Sequence, residues 1–377
     1  MLTLSDIYVG IYIILVLLII FTIYTFFKSV DYYRLTTKKD TWNKLIDDEI
    51  LLHLFEDKAI PTSSIEDKMK SDVFKQFFIE KIIHSLDYFS GSYKVKIKNI
   101  FSFYQLNQFT FKKINQKNPY ILAQGIRELI IIEDKDALIK IKSFINHPNR
   151  EVQEECQYGL VHFLGFDGLY FLDHLKNKLS EWQQIRLLSI LPTLPNYTDN
   201  EFEKIVHWLN SPNDSIVIFV LKIIKKSQIL KSENYLFELL INENPNIVTQ
   251  TIKTFSVIHS NKTADALIKH YPNQPIDRQI EILKSLIKLD LSHQKKFLIH
   301  EIVNQANLSI KKHAINLYLR NISSIEEVAI LVDFEEVNTL ETKTILLEVS
   351  NMLISELNDI LHQPQKILLK QIILDYK

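Results

Sequence analysis

The chain has 377 residues, 46% hydrophobic and 24% charged, with 44 basic against 45 acidic side chains, a balance that excludes a disordered chain and a strongly basic nucleic-acid binder. Its six glycines never fall in a GxGxxG or GxxxxGKS/T frame, so the phosphate-cradling loops of nucleotide-binding folds are absent. One cysteine, Cys156, excludes an internal disulfide framework and any Cys-rich zinc site.

From Ile7 to Phe27 no residue is charged. As a helix rising ~1.5 Å per residue, this run of 21 residues covers a hydrocarbon core of ~30 Å, with Tyr8, Tyr12 and Tyr24 as interfacial rings near its ends. A cleaved secretory signal is the rival reading. Against it, Met1 to Asp6 carries no Lys or Arg, and no A-x-A-like site follows the apolar run. Lys28, Arg34, Lys38, Lys39 and Lys44 follow the span, while Asp6 precedes it, so the positive-inside rule predicts an outside amino terminus and a cytoplasmic body. The sequence therefore predicts a single-pass membrane protein divided into an anchor with flanks (1–28), a connector and cap helix (29–68) and a helical body (69–377). Within the connector, Lys38 to Phe55 reads as amphipathic and Ala59 to Glu66 as a loop.

In the body, Met69 to Tyr88 and Tyr93 to Leu106 are predicted as an irregular first helix pair, separated by Ser90-Gly91. Beyond them, Pro/Asn breaks recur at Asn118-Pro119, Pro148-Asn149, Pro212-Asn213, Asn244-Pro245 and Pro272-Asn273. With the second helix of each unit placed near 119, 149, 181, 213, 246, 277, 308 and 340, the steps stay between 30 and 33 residues. Apolar residues then follow at helical spacing, as in Ile216, Val220, Ile223 and in Ile276, Ile280, Leu283, Ile287. A shorter second set is predicted near Lys135–Asn146, Gly168–Lys178, Asn200–Asn210, Glu233–Asn242, Thr263–His270, Gln294–Gln305 and Ser324–Phe334, with a capping helix from Pro364 to Tyr376. Helix pairs this short cannot bury their stripes alone, so the expected fold is all-α: a stacked, right-handed α-solenoid.

These pairs of roughly 32 residues, each with a Pro/Asn break and a following apolar stripe, resemble HEAT-type repeats over residues 69 to 377. Arg150 to Leu191 is similar to bacterial proteins that join one amino-terminal membrane helix to a HEAT-repeat body. That resemblance implies a membrane-bound family 2 glycosyltransferase as partner. The Asp and Arg that recur in strong HEAT repeats are mostly replaced here, with Arg186, Arg278 and Lys311 the nearest equivalents.

No constellation points to a reaction. The histidines form neither HxxxH nor HExxH, and the nearest acidic grouping, His162, Asp167, Asp173 and His174, straddles an inter-helix loop and reads as structural rather than metal-binding. Cys156 sits on the buried stripe of its helix, where a thiol is inert. Lysine outnumbers arginine 38 to 6, so bidentate phosphate clamps are scarce, and Lys222, Lys225 and Lys226 read as a solvated face. One surface stands out: Trp182 and Gln183 with Arg186, near the start of a helix, combine residue types that dominate binding hot spots. The competing reading packs Trp182 between repeats and exposes the glutamines.

The expected function is a non-catalytic interaction scaffold at the cytoplasmic membrane face, with a protein partner, no cofactor, no metal and no nucleic acid. The alternative is an enzyme on a HEAT-like scaffold, such as a nucleic-acid glycosylase, which requires a continuous basic groove.

Overall fold

The computed structural model describes residues 4–55, 63–194, 196–260, 262–289, 291, 293–333, 339–357 and 363–375. Among them there is no strand, and the chain forms two compact units, Met1–Leu164 and Gly165–Lys377.

The first unit begins with one continuous helix, α1 (Leu4–Phe55). The expected division between anchor and connector at residue 28 falls inside it. No Pro or Gly interrupts residues 11–55, and threonines along it return their hydroxyls to the helix backbone, as Thr22 Oγ1 does to the Leu18 carbonyl at 2.7 Å. Residues 11–27 are wholly exposed, and α1 is, among the described residues, the one helix long and apolar enough to cross a membrane. Its other end behaves as the predicted cap. Ile46, Glu49, Ile50 and Leu54 recur at helical spacing and are buried, and the Trp42 ring meets Phe74 edge-on at 5.3 Å.

They pack on α3 (Asp72–Ser85) and α4 (Ser92–Phe103), after the short α2 (Ser63–Lys68). The predicted helix through Leu106 stops earlier, because Gln105 adopts a left-handed φ of 52° and turns the chain into α5 (Leu106–Lys113). α6 (Pro119–Ile132) and α8 (Arg150–Leu164), joined by α7 (Ala137–Ser143), complete the unit. A buried polar knot binds α3, α5 and α6. Lys113 Nζ lies 2.6 Å from Glu128 Oε2 and also donates to Gln76, while Gln124 Nε2 reaches Glu128 Oε1 at 3.1 Å.

The second unit opens with a 3-10 helix over Gly165–His174, where an α-helix was expected from 168. Phe166, Leu169 and Leu172 are buried three residues apart, the repeat that aligns side chains in a 3-10 helix. After it, one set of helices, α9 (Glu181–Ile190), α11 (Asp214–Ser227), α13 (Pro245–Phe255), α15 (Ile276–Ser285), α17 (Leu308–Arg320) and α19 (Leu340–Glu356), packs in sequence, each on the next. They alternate with α10 (Asp199–Leu209), α12 (Glu233–Leu239), α14 (Thr263–His270), α16 (Lys295–Asn304), α18 (Ile325–Asp333) and α20 (Gln363–Asp375). Phe334 and Tyr376, the predicted ends of α18 and α20, lie outside the described residues.

Polar groups fix the spacing of this row. Thr254 Oγ1 donates to the Leu221 carbonyl at 3.3 Å, and one repeat later Ser285 Oγ donates to the Ile252 carbonyl at 2.9 Å. Helix starts are capped by Ser180, Asn213, Asn244, Asn307 and Thr339, whose side chains accept backbone N–H groups of the first turn.

Candidate interaction surface

The surface predicted around Trp182 lies on α9. Ser180 Oγ accepts from the Gln183 amide at 3.2 Å, and Glu181 sits in the first turn, where the helix end favours negative charge. The register that follows settles which side chains face out. Trp182 is 69% exposed and Ile185 55%, whereas Gln183 is 7% and Gln184 3% exposed. Trp182 and Ile185 therefore present apolar area three residues apart on one side of the helix. The reading that packed Trp182 inside and exposed the glutamines is reversed. Gln183, included among the surface candidates, is corrected to a buried residue. Arg186 is half-buried and engaged within the molecule.

Gln184 explains why two amides are buried here. Its Nε2 donates to the Leu179 carbonyl at 3.2 Å, and its Oε1 accepts from Lys222 Nζ of α11 at 2.7 Å. Both ends of the amide are thus satisfied, which removes most of the cost of burying it. Four residues further along α11, Lys226 Nζ donates to the carbonyls of Leu188 and Leu191 at 2.6 and 2.5 Å, closing the carboxy-terminal end of α9. Lys222 and Lys226 therefore hold adjacent helices together, which corrects their reading as part of a solvated face.

Between α9, α11 and α13 runs a groove of about 340 Å³ whose walls include Lys178, Gln184, Lys222, Asn246, Gln250 and Lys253. Burial, together with the neighbouring Lys253 charge, holds the Lys222 ammonium below the usual lysine range, while Glu181 partly offsets the shift. The same causes, burial first and then Lys253, lower Lys225. Two carboxylates also line the groove, Glu181 and Asp214, so its charge is mixed rather than continuously basic. The sequence signal for this groove was register: Lys222, Lys253 and Lys284 stand at equivalent positions of α11, α13 and α15.

The acidic residues that invited a metal search have protein partners. Asp173 Oδ1 accepts from the Trp208 indole at 2.6 Å, and Asp167 pairs with Lys204 at 3.2 Å. His162, in the first unit, stacks on Tyr158, and burial lowers its pKa. Cys156 is fully buried, and burial pushes its thiol up to about 12.

No family model and no curated protein matches the chain. Among solved structures, an engineered protein from a structural genomics consortium is 11% identical and aligns over 82% of this chain and 97% of its own, with a TM-score of 0.38. A structure of microtubule polymerases with TOG-domain arrays, described in terms of tubulin recruitment, is 12% identical over 79% of this chain and 83% of its own, with a TM-score of 0.26. At such low scores neither likeness carries an argument about fold or function.

Proposed function

We propose that the chain is a membrane-anchored, non-catalytic scaffold of HEAT-type repeats that displays a protein-binding surface at the cytoplasmic face of the membrane. The observation that carries this reading is the exposed apolar half of α1, continuous with a helix that ends inside a packed helical core. An apolar surface of this length needs a cover, and a bilayer matches it in both length and polarity. Lys28, Arg34, Lys38, Lys39 and Lys44 on the body side favour a cytoplasmic orientation.

Binding rather than catalysis is supported by what the surface offers. Trp182 and Ile185 are exposed and apolar, the groove beside α9 is polar, and the candidate acid and thiol groups are already engaged or buried. Tethering confines the search for a partner to the plane of the membrane and raises effective concentration without any chemistry. A membrane glycosyltransferase is the first partner to test.

The experiment compares the full chain with a variant lacking Met1 to Phe27. The full chain is expected to resist extraction from membranes by alkaline carbonate and to co-purify with its partner after cross-linking. The truncated body is expected in the soluble fraction, folded and without cellular function. Turnover of a substrate by the full chain alone, or full cellular function without the anchor, overturns the reading.

A further inference from the structure

The lysines of the groove are arranged as rungs. Lys222 projects from α11 and Lys253 from α13, both lining the same groove, and Lys178 stands at its edge ahead of α9. Lys222 is held in place, since Gln184 Oε1 takes one of its three N–H donors at 2.7 Å and leaves the others. Lys253 is exposed and forms no ion pair among the described residues. Of the two carboxylates in the walls, Asp214 already accepts from Asn244 Nδ2 at 2.6 Å. Glu181 and Asp214 together face three ammonium groups, so the lining of the groove keeps one net positive charge.

From this geometry we propose that the α9–α11–α13 groove binds an extended acidic segment of a protein partner, with carboxylates spaced three residues apart to meet successive lysine rungs. This rests on the scaffold reading and names the chemistry of its partner. Neighbouring packed helices lie roughly 8–10 Å apart, and a chain in the extended polyproline II conformation advances about 3.1 Å per residue with three residues per turn, which keeps every third side chain on one face. Every third side chain of such a segment therefore arrives at the next helix. Successive carboxylates on an α-helical ligand, by contrast, sit about 5–6 Å apart at three- or four-residue spacing and miss the rungs. Lys284, at the equivalent position of α15, extends the row by one step and currently pairs with Glu281 at 3.1 Å within its own helix, a contact exposed enough to exchange for a ligand carboxylate.

The test uses the full chain in detergent micelles and two fluorescent peptides of identical composition, one with glutamate at every third residue and one with the glutamates contiguous. The spaced peptide is expected to bind about 10-fold more tightly, and Lys253→Glu is expected to abolish that preference while circular dichroism stays unchanged. Lys222→Gln, which keeps a polar partner for Gln184, is expected to weaken the spaced peptide several-fold. Equal binding of the two peptides overturns the proposal, as does an unchanged affinity in Lys253→Glu. Tighter binding of single-stranded DNA than of the spaced peptide also overturns it. If Lys253→Glu still cross-links to the membrane partner of the native chain, the groove assignment fails while the scaffold reading stands.

Discussion

Asn244 caps α13 and at the same time donates from Nδ2 to Asp214 Oδ2 of the preceding repeat at 2.6 Å, so one side chain both starts a helix and fixes its distance from the last. Asn118 performs only the first task, accepting from the Tyr120 amide. Asn244→Ala is expected to cost about 1 to 2 kcal/mol and Asn118→Ala about 0.5 to 1 kcal/mol. Chemical denaturation of the two variants checks the order; equal losses would show that the inter-repeat bond contributes nothing.

The Lys113–Glu128 pair separates the value of an ion pair from the cost of breaking it. Both side chains are buried. Lys113→Met leaves Glu128 charged without its cation and should destabilise the chain by about 3 to 5 kcal/mol, whereas Lys113→Met with Glu128→Met should cost below about 2 kcal/mol. A double variant worse than the single one would contradict this account.

Two glycines test close packing. A Cβ at Gly125 would stand 2.8 Å from Ile114 Cγ2 and 3.0 Å from Lys113 Cβ, both near the α5 backbone. At Gly159 the nearest atom is Ile130 Cδ1, also at 2.8 Å but at the end of a side chain that can move. Gly125→Ala should therefore lose about 1 to 3 kcal/mol, while Gly159→Ala should be close to neutral because the gain in helix propensity offsets the shift. Thermal melts of the pair decide it.

Buried and exposed positions along the row from α9 to α19 should respond very differently. Ile216 and Leu317 are buried in α11 and α17, so Ile216→Asp or Leu317→Asp introduces an unpaired charge and should cost several kcal/mol, about 3 to 5. Trp182→Ala removes an exposed ring and should stay within about 0.5 kcal/mol. A large loss of stability in Trp182→Ala would place that ring in a structural role.

Cys156 supplies both a pH signature and a labelling background. With its folded thiol at about 12 and an ordinary value of 9.0, the unfolded chain releases this proton first. The contribution is therefore fully present below about pH 9 and is lost as pH rises toward about 12. Replacing Cys156 by Ala should reduce the alkaline fall in stability measured by denaturant titration. In that background, Ser64→Cys on exposed α2 becomes the sole thiol. An impermeant maleimide is expected to label it only after cells are permeabilised, and labelling of intact cells would reverse the proposed orientation.

Much of the helix pattern was legible because its signals are local. The break at Asn118-Pro119 and the period of roughly 32 residues placed helices near 119, 181, 308 and 340, and α6, α9, α17 and α19 begin at Pro119, Glu181, Leu308 and Leu340. Asn and Ser caps announce such starts in the sequence. Other features depend on tertiary contacts. Gln105 turns left-handed without the Gly or Asn that usually marks such a turn. The burial of Gln183 and Gln184 follows from how α9 sits against α11, with Lys222 satisfying one amide across that interface. Composition favours exposing a pair of glutamines and burying a tryptophan, and packing overrode that preference in both directions. The separation into two units at Leu164 and Gly165 has a local trace only in the left-handed φ of Gly165, a conformation that sequence alone does not reveal.

The uninterrupted α1 also makes angle, and not only distance, a fixed property of the first unit. Each residue between its exposed apolar half and the buried Ile46 turns the helix by about 100° and advances it about 1.5 Å. Inserting one residue among 29–38 would swing the rest of the first unit by about 100° around the helix axis while hardly lengthening it. Inserting seven would lengthen it by about 10 Å yet return its bearing to within about 20°. Function that depends on the bearing of the first unit should fail after the first insertion and survive the second, because a rigid shaft transmits phase as well as height.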